Sequence, residues 1–497
     1  MLGRVRNLLL LLVVAFAALA GAQNVVVMQS ADAKTLDPTQ NRETPTFNVM
    51  LHLFDALVFK NPDGTFAPGL AESWSALDDL TWEFHLRDGV KFHDGEPLTA
   101  DAVKFTVERI KDPEAASPIA GGYAFIDHVE VVDPLTVRIV TKAPTPLAEV
   151  YFSEIFIVPP AYYQRVGAAE FASHPVGTGP FKFVGWTRDV SLTLAPNADY
   201  WRGAPSLPGI VFQPVPEAIT RFSSLSAGEA DIITQVPPSL TAAVDGATNA
   251  HLATVDGARV LYIGINTTGS NAALKDARVR QALNYAVDRN GIVQGIFGGL
   301  ATATTGLLTP IDFGYDPELA PYPYDPERAR ALLAEAGYAS GLTLVLGTPN
   351  GRYVNDVQVA QAVAAQLQAV GVTVDLQVRE YGAYVGELFG GAAPDLFLIG
   401  WGNAPFDADF VYWNLLRTDQ LLSYYSNPEL DALIDVGHTT IDRGERLAAY
   451  LSAAVIIQDE APMIFLYKQK DAYGVSDRLV WEPRADEFIY LYGATLK

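Results

Sequence analysis

The sequence predicts an α/β protein of two lobes joined without a flexible linker, on three observations. Its 497 residues exceed what one hydrophobic core holds, so two or three domains are expected. Strand-type and helix-type patterns alternate along the chain, and no internal repeat, low-complexity tract or charge run separates them, so the backbone crosses between lobes more than once. In the second half, "LTLVLGT", "VQVAQAVAAQLQAVG", "VTVDLQV" and "DLFLIGW" follow one another as strand, helix, strand and strand. That order implies parallel pairing.

Taken from the start, "MLGRVRNLLLLLVVAFAALAGAQN" carries Arg4 and Arg6, an apolar run from Leu8 to Leu19, then Ala20 and Ala22 ahead of Gln23. The run is short for a bilayer span and ends in small residues, so residues 1–22 read as a signal peptide cleaved after Ala22. "VVVMQSADAKTLDP" then gives a buried-type strand and a turn at Asp37-Pro38. Within the next stretch, "TWEFHLR" alternates as a half-buried strand, and "DGVKFHDG" reads as a short strand between two Asp-Gly turns. "LTADAVKFTVERI" is a helix with Thr99 as its N-cap.

"HPVGTGPFKF", residues 174–183, packs two glycines, two prolines and a threonine into ten residues. It is no nucleotide loop, because the Gly-x-x-x-x-Gly-Lys pattern is absent and Pro180 removes an N–H that a phosphate cradle needs. A rigid corner is expected, with glycine supplying unusual dihedrals and proline stiffness. Beyond it lie the strands "VSLTLAP" and "GARVLYIGIN" and a single long amphipathic helix over "LKDARVRQALNYAVDRNGIVQGIF". "YDPERARALLAEAGY" has both helix ends marked, by Asp325-Pro326 and Gly337.

Composition narrows the chemistry. Cysteine is absent, which excludes disulfides, thiolate zinc sites and a lipidated leader. An exported chain without a lipid is retained best between two membranes, so a periplasmic location is expected. The formal charge of −23 becomes more negative once Arg4 and Arg6 leave, and such a surface repels nucleic acid. His52, His85, His93, His128, His174, His251 and His438 stand too far apart for a local metal motif. No Gly-x-Ser-x-Gly elbow or distinctive carboxylate pair supports a hydrolase.

Five segments, "PGLAESWSALDDLTWEFHLRDGVKFHDGEPLTADAV", "HPVGTGPFKF", "NADYWRG", "RVRQALNYAVDR" and "YDPERARALLAEAGY", stand in the order in which they occur in family 5 extracellular solute-binding proteins, the peptide, nickel and opine receptors of ABC importers. The resemblance spans "LDP" at 36 to "EAPMIFLY" at 460–467. It implies a two-lobe periplasmic binding protein clamp, type II and cluster C-like, with an extra subdomain inserted in the N-terminal lobe. Residues 23–51, 175–265 and 472–497 would form lobe I, 52–174 the inserted subdomain, and 266–471 lobe II. The corner at 175–181 would mark re-entry into lobe I.

The same resemblance directs attention to "LIGWGNAPFDADFVYWN". In peptide-binding relatives this Gly-Trp stretch lines the cleft, and an aspartate three residues after the tryptophan holds the ligand ammonium. Here that position is Ala404, so Gly400, Trp401, Gly402 and Asn403 are expected at the cleft without that anchor. Asp407 and Asp409, six and eight residues after Trp401, resemble the glutathione-binding pattern, and equally suit the cap of a helix starting near Phe410. Arg352 in "TPNGRYVND" offers a fork for a ligand carboxylate, as does Arg259; a surface ion pair is the plain alternative for each. Arg42, Glu43 and Thr44 match the place where the first lobe edges the cleft. The resemblance thus implies a monomeric receptor without metal or cofactor, closing on a peptide or peptide-like solute for a membrane permease. A bound peptide would rely on its carboxylate more than on its N-terminus. Receptors for glutathione, a metal chelate or an oligosaccharide, and an exported hydrolase, are the rivals.

Overall fold

The computed structural model describes residues 23–41, 43–420 and 422–497. The expected leader, residues 1–22, and Arg42 lie outside them. An 11-stranded sheet runs through the molecule. From one edge its strands are Val372–Arg379, Leu342–Pro349, Leu396–Gly402, Ala250–Ile265, Met463–Ser476, Ile232–Ile233, Val25–Gln29, Ile210–Pro214, Ser191–Pro196 and Phe181–Thr187, with Ala301–Ala303 beside Met463–Ser476. Val372–Arg379 pairs parallel with Leu342–Pro349, and that strand parallel with Leu396–Gly402, as the strand, helix, strand order requires.

Two long antiparallel strands, Ala250–Ile265 and Met463–Ser476, join the halves. Their register breaks between Asp256 and Val260, and a bulge at that place bends the ribbon. On one side of the break Leu261, Ile263, Ile464 and Phe465 enter a core shared with Leu344, Val363 and Leu398. On the other, Tyr473 and Val475 pack with Val25, Phe47, Leu53 and Ile210. Ile489 and Leu491 join this second core. A third core, around Leu57, Phe84, Val103 and Ile139, belongs to a four-stranded antiparallel sheet of Ala71–Ala76, Thr81–Leu86, Thr136–Thr141 and Ile126–Asp133.

The corner at 174–183 is built for close approach. Neither Gly177 nor Gly179 has a positive φ. Instead, a methyl on Gly177 would stand 2.1 Å from the Leu53 carbonyl oxygen, and one on Gly179 2.5 Å from that of His52. The Gly179 N–H donates to the Leu53 carbonyl at 3.0 Å, and the His93 N–H to that of Gly177 at 2.8 Å. Thr178 Oγ1 donates to Asp55 Oδ2 at 2.9 Å. The corner therefore clamps the end of helix Thr44–Leu53 to its neighbours on both sides.

Some local expectations change. The single helix over 274–297 is two, Ala277–Tyr285 and Arg289–Phe297. Asp288 starts the second by accepting from the Gly291 N–H at 2.8 Å, a cap that competes with continuing the first. Thr99 precedes helix Ala100–Lys111 but its side chain makes no cap bond. "DGVKFHDG" forms one bridge, Lys91 to Pro97, rather than a strand. Helix Pro326–Glu335 keeps both marked ends: Asp325 accepts from the Arg328 N–H at 2.8 Å, and Gly337 has φ +93.

His52 is fully buried, with Nδ1 2.7 Å from the Asn48 carbonyl and Nε2 accepting the Leu491 N–H at 3.0 Å. Both ring nitrogens are committed in the neutral form. Burial lowers its pKa from 6.5 to about 4. The unfolded chain then binds the extra proton between these values, so stability is complete above pH 6.5 and falls as pH drops towards 4. The expected loss from this group by pH 4 is about 3 kcal/mol. An NMR titration placing the His52 ring near 6.5 in the folded protein would refute it.

Candidate functional site

Where the two long strands cross between the cores, a cavity of about 470 Å³ opens. The first lobe lines it with Gln29 and Ser30 at a strand end, Thr44, Pro45 and Asn48 at a helix start, and 234–237. Gly351, Arg352, Tyr353 and Val354 line it from the facing lobe, while Arg259, 469–473 and Glu487 complete the wall. Three residues expected from the sequence, Thr44, Arg259 and Arg352, are thereby brought together. Glu43 is instead exposed and paired with Lys34.

The loop carrying Arg352 is held by Asp356. Its buried carboxylate accepts the backbone N–H groups of Gly351, Arg352 and Tyr353 at 3.1, 2.9 and 3.1 Å. Tyr353 Oη donates to the Gly400 carbonyl at 3.2 Å, tying the loop to the strand behind it. The Arg352 guanidinium lies 5.1 Å from the Tyr353 ring centre and 5.3 Å from that of Tyr381. It makes no ion pair with a described carboxylate, but a side-chain hydrogen bond to Tyr381 and the Glu487 charge both act on it. Arg259 is 3.8 Å from Glu487. Gly402 makes room for it, since a methyl there would come 3.1 Å from Nη2.

Gly400, Trp401 and Gly402 end the strand that pairs with Arg259–Ile265. They sit behind the cavity wall. A methyl on Gly400 would press within 2.9 Å of the Tyr353 ring. Trp401 is half-buried, its ring 5.5 Å from that of Phe410, and its Nε1 has no partner. Asn403 is buried, donating from Nδ2 to Asp312 Oδ1 at 2.8 Å. None of the four lines the cavity.

Asp407 and Asp409 turn into the lobe. Asp407 caps helix Ala408–Leu416 through the Asp409 N–H at 2.9 Å and pairs with Arg446 at 2.6 Å. Asp409 lies 2.9 Å from His438 Nδ1 and accepts from Tyr450 Oη at 3.2 Å. Both acids are buried and neither lines the cavity. The carboxylates that do line it, Asp471 and Glu487, were not expected from the sequence. The one signal for Asp471 is the burst of charge in "YKQKDAY", inside a run otherwise apolar enough for a core strand; Glu487, in "PRADEF", has none of that kind.

A second contact joins the halves beside the cavity. Lys60, buried, donates from Nζ to the Ala404 carbonyl at 2.6 Å and stands 4.3 Å over the Phe406 ring. Its charge is answered by Asp486 at 3.7 Å. Replacing Lys60 with Met removes this tie while keeping the stem's volume. The solute-free protein is expected to show a larger radius of gyration by small-angle scattering, and an unchanged radius would count against the tie.

The model of "Bacterial extracellular solute-binding proteins, family 5 Middle" matches residues 65–421. The glutathione-binding protein GsiB of Pectobacterium atrosepticum is 31% identical over 463 residues, covering 90% of this chain and 89% of that one. GsiB of Salmonella typhimurium is 31% identical, covering 92% and 91%. Among solved structures, HbpA2 from Haemophilus parasuis superposes with a TM-score of 0.88 at 26% identity, covering 96% and 100%. The periplasmic binding protein DppA from Helicobacter pylori, in complex with peptide STSA, gives 0.75 at 26%, covering 95% and 98%. The two-lobe α/β clamp is therefore the fold, the hydrolase alternative falls, and the chain belongs to family 5 of the bacterial extracellular solute-binding proteins, a receptor rather than an enzyme.

Proposed function

We propose that this chain is the periplasmic receptor of an ABC importer and captures a peptide or peptide-like solute bearing a free carboxylate. One observation carries the reading: Arg352, without an ion-pair partner among the described residues, stands on the wall of a cavity shared by both lobes. Closure about the two crossing strands would exclude water and let each lobe complete the other's hydrogen bonds, and the membrane permease would read the difference. We place the hinge at the register break between Asp256 and Val260. The inserted subdomain, 52–174, moves with the first lobe, and the receptor works as a monomer without metal or cofactor.

Glutathione is the favoured member of the class. Arg259 puts a second guanidinium on the same wall, which suits a solute with two carboxylates, and the GsiB relatives are named for that tripeptide. Calorimetric titration of the mature protein with glutathione, trialanine and their C-terminal amides tests the proposal. Binding of the free acids with amidation weakening it supports the reading. Indifference to amidation defeats it. Recovery of the exported chain with Met1 still present would defeat the cleaved leader.

A further inference from the structure

The cavity wall carries Arg259, Arg352 and Lys470 beside Asp471 and Glu487, yet one carboxylate oxygen on it is left without a partner. Asp471 lines the cavity from strand Met463–Ser476, yet its Oδ2 is sealed from solvent and accepts no hydrogen bond. Buried carboxylates without a partner are rare and costly. The oxygen is accommodated at Gly257, where a methyl would come within 2.6 Å of it. Glu487 shares the wall, its backbone in the left-handed region at φ +65. The turn carrying it is pinned by Asp486, which pairs with Arg484 at 2.7 Å.

The charges that reach Asp471 are those of Glu487 and Arg259. Burial, then the Glu487 charge, raise its pKa, and Arg259 opposes them. Arg259 stands beside Glu487 at 3.8 Å, the Glu487 charge also acts on Arg352, and neither arginine donates to Asp471 Oδ2. Lys470 also lines the cavity, from the strand position beside Asp471, and makes no hydrogen bond to Oδ2.

We propose that Asp471, backed by Glu487, is the seat for a protonated amine of the bound solute. This rests on the receptor reading above and adds the other half of a zwitterion: the amine at Asp471, the carboxylate at Arg352. It also replaces the expectation that a bound peptide owes little to its N-terminus, because the anchor missing at Ala404 is supplied from a different element.

The test is calorimetric titration of the mature protein with glutathione, trialanine, the N-acetyl form of each, and spermidine, an amine without a carboxylate. N-acetylation and Asp471→Asn are each expected to weaken binding of the peptides by roughly ten- to a hundredfold, and not to add when combined. Gly257→Ala, which crowds Oδ2, is expected to imitate Asp471→Asn on the free amines and to leave the N-acetyl forms unaffected. Should the peptides bind and both changes cost less than twofold, the amine seat falls and the receptor reading stands. Binding of spermidine alone, lost in Asp471→Asn, would keep the seat and overturn the carboxylate-bearing solute. If none of the probes binds, both fall.

Discussion

Arg352→Ala will weaken binding of trialanine or glutathione by roughly ten- to a hundredfold, because a charge-assisted, forked bond contributes about 1.5–3 kcal/mol. The loop should survive the change. Asp356 holds it through three backbone N–H groups, none of which belongs to the arginine side chain. The melting temperature of the solute-free variant is accordingly expected to stay close to that of the parent. Arg352→Lys should recover only part of the affinity, since an ammonium lacks the planar fork. Combining Arg352→Ala with a C-terminal amide should cost no more than either alone. If the variant binds the free acids as tightly as the parent, Arg352 is a surface charge and the carboxylate anchor lies elsewhere.

Asp407→Ala will act on stability and leave affinity alone. The carboxylate is buried, caps a helix and pairs with Arg446, itself buried. Burial raises the Asp407 pKa to about 6 against the pull of Arg446. Such a pair adds little net stability, but removing one partner strands the other charge and typically costs about 3–5 kcal/mol. Urea unfolding should register that loss. Asp407→Ala joined to Arg446→Met should recover much of it, because no uncompensated charge remains. Titration of the folded variant with glutathione should give an affinity within about twofold of the parent. The opposite pattern, stability kept and binding lost, would return Asp407 to the solute site.

These contrasting outcomes follow from which interactions are local. Helix Pro326–Glu335 was legible because its signals are neighbours: Asp325 caps three residues on, and Gly337 takes the left-handed turn. Parallel pairing of Leu342–Pro349 with Val372–Arg379 followed from strand, helix, strand order, since a short crossover leaves few other arrangements. Arg352 was legible as a fork-bearing cation in a polar loop between a strand and a helix. Likewise the departure at Ala404 could be read without coordinates. The split at Asp288 was missed although its signal was present, an N-cap residue ahead of a glycine.

Other decisions belong to segments far apart in the chain. In the corner at 174–183 the glycines stood out, yet what demands them is the carbonyl of Leu53, over a hundred residues earlier and invisible to any local pattern. Asp407 and Asp409 face into their lobe because Arg446, His438 and Tyr450, on later helices, meet them there. Asp471 and Glu487 reach one cavity because the strand that crosses between the lobes and the tail that follows it converge beside Arg259. A carboxylate looks the same in sequence whether a guanidinium awaits it or not. By itself the sequence determined most of the elements, the family and the candidate arginine; tertiary structure alone decided which acids are neutralised in the core and which line the cavity, because burial and charge pairing are properties of packed neighbours.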